Sequence, residues 1–203
     1  MFHHLMLGFT LAFAAAVQPG PLQAYVVAQT LSRGWRRSWP AAFAPLLSDA
    51  PIALIALGAL HFAGARLLSV LQCAGGLFLL YLAARAQHTW RTHGASPETG
   101  SQGSLLNAAI VNVLNPNPYL GWSLVMGPLF LRAWREAPRY AAALLLGFYA
   151  TMVAVTLGII LLFAAAGGLG PKVNRRLVGI SVIALLVFAG YELWSGTRSL
   201  WQF

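Results

Sequence analysis

Apolar residues run along this chain in long blocks, and polar residues gather into short connections between them. A block of about 20 apolar residues, as a helix rising 1.5 Å per residue, crosses a hydrocarbon core of ~30 Å. Six such blocks occur, at about 5–31, 40–62, 67–86, 105–131, 140–166 and 177–196. Only "QHTWRTHGASPETGSQGS", from Gln87 to Ser104, is polar enough for a true linker, and it parts the blocks into two groups of three. The pattern predicts an all-α integral membrane protein built as a single transmembrane domain over 1–203. Repeat 1 covers about 1–86, the polar linker 87–104, and repeat 2 about 105–203.

The two halves resemble one another. "AVQPGPLQAY" (Ala16 to Tyr25) falls on "VLNPNPYLGW" (Val113 to Trp122), with amide-Pro-x-Pro on amide-Pro-x-Pro. "LLSDAPIALIALGAL" (Leu46 to Leu60) falls on "LLGFYATMVAVTLGII" (Leu145 to Ile160), and "RLLSVLQCAGGLFLLY" (Arg66 to Tyr81) on "RLVGISVIALLVFAGY" (Arg176 to Tyr191). The Pro-x-Pro match carries the argument, because apolar helices resemble each other by composition alone. An odd number of spans per half sets the halves in opposite orientation. The expected architecture is therefore six transmembrane helices in a 3+3 inverted repeat, with the first and fourth helices broken at Pro-x-Pro.

Such breaks are expensive. A proline inside a helix removes its own donor and clashes with the carbonyl four residues back, at roughly 3 kcal/mol or more. Pro19 and Pro21 release the carbonyls of Ala15 and Val17, while Pro116 and Pro118 release those of Asn112 and Leu114. Backbone left unpaired at membrane depth is tolerated only inside the protein or against a watery cavity. Each break offers freed carbonyls, which suit an ammonium or metal cation, and a helix N-terminus, which suits a carboxylate. A zwitterion uses both, which points toward amino-acid-like solutes. A kink for packing is the bland alternative, weaker for two breaks at matching places than for one.

The candidate substrate-binding residues are accordingly Gln18, Pro19, Gly20, Pro21, Asn112, Asn115, Pro116, Asn117 and Tyr119. Interhelical hydrogen bonding competes as an explanation for the other amides, Gln23, Gln29 and Asn107. Tyr25, Tyr119, Trp122 and Tyr149 either line a cavity or anchor at the membrane interface.

Composition sharpens this picture. The chain is 59% hydrophobic and 8% charged, against roughly 25% charged in a typical soluble domain. Its net charge of +9 lies between the blocks instead of along one face, so anionic lipid headgroups, not nucleic acid, are the expected partners. Arg33, Arg36, Arg37, Arg85, Arg91, Lys172, Arg175 and Arg176 fall on one side and Arg66, Arg132, Arg135, Arg139 and Arg198 on the other, eight against five. The larger set belongs in the cytoplasm, which places both termini outside. The start "MFHHLMLGFTLAF" lacks a basic leader and runs on through "LQAYVVAQTL", so it reads as a retained helix.

Asp49 is the one acidic residue well inside a block, bracketed by Pro45 and Pro51. A carboxylate there costs about 2.5–3.5 kcal/mol on insertion scales, and such residues face a bundle interior or a water-filled path. It is the candidate proton-coupling group, with a buried structural hydrogen bond as the alternative. Pro45 and Pro51 also make that helix irregular. The other acids, Glu98, Glu136 and Glu192, lie in connections or near a block end and offer no carboxylate pair. His3, His4, His61, His88 and His93 show no metal-ligand spacing, and the single Cys73 excludes an intrachain disulfide or a cysteine zinc site. No phosphate-binding Gly-rich loop is present, and no cofactor is expected.

With "QPGP" late in the first block, "SRGWRR" after it, Asp49 in the second and "NPNPYLGW" in the fourth, the chain resembles the lysine exporter and homoserine/threonine exporter (LysE/RhtB) family. The resemblance runs nearly the whole chain and is that of a divergent branch. It implies a six-span translocator of the bacterial inner membrane, exporting amino acids or related small solutes on the proton gradient, frequently as a homodimer. Pro19, Gly20 and Pro21 match the family's Pro-Gly-Pro, Gly34 its loop glycine, Asp49 its second-span acid, and Asn115 with Pro116 its Asn-Pro. Leu22, Ser38, Pro45 and Asn117 depart from residues frequent in the family, around the presumed site.

Two other functions compete. Export of a metal or other cation would use the same carbonyls but wants several carboxylates or histidines. A non-transporting scaffold subunit would need neither matched breaks nor a buried acid. An enzyme is not expected, since one aspartate and one cysteine make too thin a catalytic set.

Overall fold

The computed structural model describes residues 1–58, 60–91 and 102–201; the linker's 92–101, with His93 and Glu98, lie outside the described residues. Every described element is helical. In chain order they are α1 (Phe2–Val17), α2 (Pro21–Arg33), α3 (Trp35–Ser38), a 3₁₀ turn (Trp39–Phe43), α4 (Ala44–Gly58), α5 (Leu60–Arg91), α6 (Gln102–Leu114), α7 (Pro116–Gly121), a π-helical turn (Trp122–Met126), α8 (Gly127–Glu136), α9 (Pro138–Gly167) and α10 (Pro171–Leu200).

Prolines mark the start of four of these helices, α2, α7, α9 and α10. A residue that precedes proline is pushed out of the helical region, and proline itself fits the first helical position, where no N–H is needed. Gln18 turns extended (φ −60°, ψ 125°) before Pro19, Gly20 continues extended (φ −161°, ψ 178°), and α2 starts at Pro21. Asn115 (φ −80°, ψ 126°) precedes Pro116 at the start of α7, and Ala137 (φ −168°, ψ 139°) precedes Pro138 at the start of α9. Gly34, at φ +82°, ends α2 in the left-handed region that glycine enters without steric penalty, and its N–H donates to the Thr30 carbonyl at 2.9 Å.

Four of the described helical segments are long and apolar enough to cross a membrane: Trp35–Gly58, Leu68–Gln87, Pro138–Gly167 and Lys172–Leu200. A fifth is formed if α1 and α2, which meet at 65°, count as one bent span. The chain is thus a multi-pass α-helical membrane protein. The stretch expected as a fourth block, about 105–131, is spread over α6, α7, the π turn and α8, and Ser104–Leu114 alone is too short to cross. The third block, expected at about 67–86, lies in the longer α5, which carries helix into the predicted linker as far as Arg91.

Two helix pairs form the seams of the bundle, and small residues set both. On α1, a Cβ at Gly8 would strike the Leu144 carbonyl of α9; on α9, a Cβ at Gly147 would strike the Leu5 carbonyl of α1. On α5, a Cβ at Gly76 would lie 2.9 Å from the Ala189 carbonyl of α10, and one at Gly196 on α10 would lie 2.8 Å from the Ser69 carbonyl of α5. In a bilayer, where lipid tails are as apolar as leucine, such close backbone approach supplies the packing energy. The outer surface is correspondingly apolar, with Leu54, Leu124, Leu161, Leu162, Ile180 and Val187 all exposed. Inside, one cluster gathers Leu22, Tyr25, Val26, Leu79, Ala108, Val111 and Leu185, and a second gathers Ile52, Tyr119, Trp122, Met126, Leu144 and Phe148.

Candidate functional site

The second of these clusters borders a cavity of about 310 Å³. Both helix interruptions reach its wall, Gln18, Pro19 and Gly20 from the α1–α2 break and Asn115 and Asn117 from the start of α7. Gln23 of α2, Asn112 of α6 and Asp49 of α4 add further polar side chains, while Leu11, Met126, Phe148 and Met152 are among the apolar lining.

At the first break, α1 ends with carbonyls that proline cannot satisfy. Ala14 accepts from the Gln18 N–H at 3.3 Å, and Ala16 accepts from the Gln23 side-chain amide at 3.2 Å. Pro19 and Pro21 have no N–H to return to Ala15 and Val17. On the other side of the break, Leu22 and Gln23 occupy the first turn of α2, where backbone N–H groups have no partner within the helix, and both line the cavity. At the second break, Asn115 caps α7 by accepting the Asn117 N–H on its side-chain oxygen at 3.1 Å.

Asp49 is 4% exposed and held from several directions. The Asn112 amide donates to its Oδ1 at 3.0 Å and to the Ser48 hydroxyl at 2.7 Å, so one side chain of α6 bridges two of α4. Ser48 in turn donates to the Ala44 carbonyl at 2.9 Å, which leaves its oxygen free to accept from Asn112. The Tyr149 hydroxyl donates to Oδ2 at 3.3 Å, and Trp122 is a further hydrogen-bond donor to the carboxyl. The acid therefore sits at the meeting point of four segments: α4, α6, the π turn and α9. Among the described lining residues it is the only acidic or basic side chain.

Of the residues singled out in the sequence, Gln18, Pro19, Gly20, Asp49, Asn112, Asn115 and Asn117 meet on this wall, whereas Pro21, Pro116 and Tyr119 lie off it. Tyr119 is buried to 1% exposure in the second apolar cluster, with its hydroxyl donating to the Val113 carbonyl at 2.9 Å, a contact that ties α7 back onto α6. Ser48, Phe148 and Met152 were not legible as site residues. Ser48 offered only its adjacency to Asp49, and the other two look like any apolar residue of a span. Glu192, placed by the sequence near a block end, is buried within α10 at 3% exposure, away from the cavity wall. Among the described residues no cluster of three His, Cys, Asp or Glu is arranged to hold a metal.

A mostly apolar cavity with a cluster of polar groups on its wall, bordered by the ends of interrupted helices, is the build of a solute-translocating membrane protein. The family model for the LysE type translocator matches residues 13–195, nearly the whole chain, and the chain belongs to that family. The family is one of translocators. No curated protein and no solved structure matches the chain.

Proposed function

We propose that this translocator is a six-span secondary transporter that exports amino acids or related small solutes across the bacterial inner membrane, with Asp49 as the group that exchanges the coupling proton. α1 with α2 forms the first crossing, and α6 with α7, the π turn and α8 forms the fourth, so that the two Pro-x-Pro interruptions occupy equivalent places in a 3+3 inverted repeat. The observation that carries the proposal is the placement of Asp49, fastened by Asn112 and Tyr149, on the wall of a cavity that both interruptions also line.

The cavity's size supports a small solute, since 310 Å³ is at the lower end of the ~300–1,000 Å³ usual for small-molecule sites. Its chemistry supports one with an ammonium group and a carboxylate. Asp49 and the released Ala15 carbonyl suit the first, and the first-turn N–H groups of α2 suit the second. Trp122, Phe148 and Met152 supply an apolar surface for the rest of the molecule. A resident divalent cation would find one carboxylate there, against the several oxygen or imidazole ligands it needs.

The test is efflux of a radiolabelled amino-acid panel from proteoliposomes under an imposed pH gradient. The expected outcome is gradient-driven efflux of at least one amino acid, reduced ~10-fold or more by Asp49→Asn, equivalent to ~1.4 kcal/mol of barrier. If no amino acid moves, the substrate class is wrong. If Asp49→Asn transports with unchanged dependence on the gradient, the coupling role is wrong.

A further inference from the structure

A second, smaller polar cavity of about 20 Å³, roughly the room for one water, lies farther along α2 and α6. Its wall includes Tyr25, Gln29 and Arg33 from α2, Asn107 from α6, and Arg85 from α5. The Cα-to-side-chain geometry of a helix puts residues three and four apart on one face. Leu22, Tyr25, Gln29 and Arg33 follow that spacing on α2, while α6 carries Asn107, Val111 and Asn112 and ends at Leu114. Leu22 and Asn115 line the large cavity, while Gln29 and Asn107 line the small one. One continuous face of α2 thus serves both cavities, and α6 contributes Asn112 to the large one and Asn107 to the small one.

Between them the seam is closed by apolar packing. Tyr25 (3% exposed), Val111 (3%) and Ala108 (0%) belong to one buried cluster with Leu22. The Tyr25 hydroxyl donates to the Ser104 carbonyl at 3.4 Å and is hydrogen bonded to Asn107, so the ring is anchored from the small-cavity side. The plug is thin. Gln23 and Gln29 are six residues apart on α2, or roughly 9 Å at 1.5 Å per residue, against a hydrocarbon thickness of ~30 Å. Polar groups thus continue past the plug, and Asn107 there holds the Tyr25 hydroxyl by a hydrogen bond.

We infer that the small cavity is the narrow far half of the translocation path, that the solute passes along the α2–α6 seam, and that Tyr25 is the barrier side chain closing it off from the large cavity. This rests on the transporter reading above. Opening requires the Tyr25 ring to leave the seam, which breaks its contacts with Ser104 and Asn107 and joins the polar faces of the two helices. Arg33 and Arg85 then stand at the far mouth, where guanidinium groups attract the carboxylate end of a passing solute.

The experiment is side-specific thiol labelling in right-side-out and inside-out membrane vesicles, with Cys73→Ala as background and a single cysteine at Asn117→Cys or Asn107→Cys. Without added solute, a membrane-impermeant reagent is expected to label Asn117→Cys from one face and Asn107→Cys from the opposite face. Adding Tyr25→Ala is expected to make Asn107→Cys reactive from both faces, by ~10-fold or more over background on the face that was closed. Labelling of Asn107→Cys from the same face as Asn117→Cys, with Tyr25 intact, overturns the barrier assignment, as does failure of Asn107→Cys to label from either face. Retained labelling of Asn117→Cys in the Tyr25→Ala protein reports that the fold holds, and unchanged one-sided labelling of Asn107→Cys there also overturns it. Because the labelling needs no solute, its outcome is independent of whether any amino acid is exported.

Discussion

At Asp49 one carboxyl meets three side-chain donors of unequal quality. Asn112 reaches Oδ1 at 3.0 Å with good geometry and also fixes Ser48, whereas Tyr149 reaches Oδ2 at 3.3 Å, the longer and weaker bond. Removing a hydrogen bond to a charged group costs roughly 1.5–3 kcal/mol, and removing a long one costs less. Asn112→Ala is therefore expected to slow gradient-driven efflux by ~10-fold or more, with Tyr149→Phe within ~3-fold of the parent. Comparing the two rates in the same proteoliposome assay checks this, and an Asn112→Ala protein as active as the parent would show that the bridge to α4 is dispensable. Asp49 was legible in the sequence because an acid within an apolar block is costly wherever the block folds. Ser48 was not, since its role depends on which helix presents an amide to it. Tyr119 shows the same limit: its position two residues after Asn117 does not say whether the ring turns toward the cavity or, as it does, into the apolar cluster behind it.

Helices in this molecule are set by two local rules of different reach. Proline and the residue before it act within two or three positions, so the ends of α1 and α6 at Val17 and Leu114 could be anticipated from "QPGP" and "NPNP". The π turn at Trp122–Met126 could not. There a Cβ at Gly127 would fall against the Trp122 carbonyl and the Leu57 side chain of α4, a tertiary fit that the local sequence does not announce. Glycine at a seam is likewise silent until its partner is known. Gly8 and Gly147 lie at the α1–α9 backbone contact, whereas Gly158 and Gly179 have open space where a Cβ would be. Gly8→Ala and Gly147→Ala are each expected to destabilise by about 1–3 kcal/mol, the cost of overpacking, and Gly158→Ala to be neutral or slightly stabilising. Thermal unfolding in detergent, followed by loss of the monodisperse peak, measures the difference, and equal behaviour of all three would refute the seam as a stability determinant.

Across the whole molecule, charge and the interrupted helices bear on orientation and flux together. With eight basic residues against five, the side carrying Arg33, Arg85 and Arg176 is expected to face the cytoplasm and both termini the outside. A reporter fused after the last residue, active only in the periplasm, is expected to be active, and a cytoplasm-only reporter silent; the reverse pattern would invert the whole orientation. Joining α1 to α2 is the complementary experiment. Replacing Pro19, Gly20 and Pro21 together by alanine restores N–H donors to Ala15 and Val17 and removes the 65° bend's local cause. Efflux is expected to fall to background while the protein still inserts, as read by the same fusion.

The glycine seams have a mechanical consequence. Where α5 and α10 meet, backbone and side-chain atoms press against Gly76 and Gly196, so the pair is expected to move as one stiff rod. In the proposed transport cycle, motion is then expected at the first and fourth crossings, with their interruptions as hinges. A disulfide between Gln72→Cys and Ser195→Cys, positions whose side chains are hydrogen bonded at 3.2 Å across that seam, is therefore expected to leave efflux intact in a Cys73→Ala background. Loss of efflux on oxidation, regained on reduction, would instead show that the rod itself must flex.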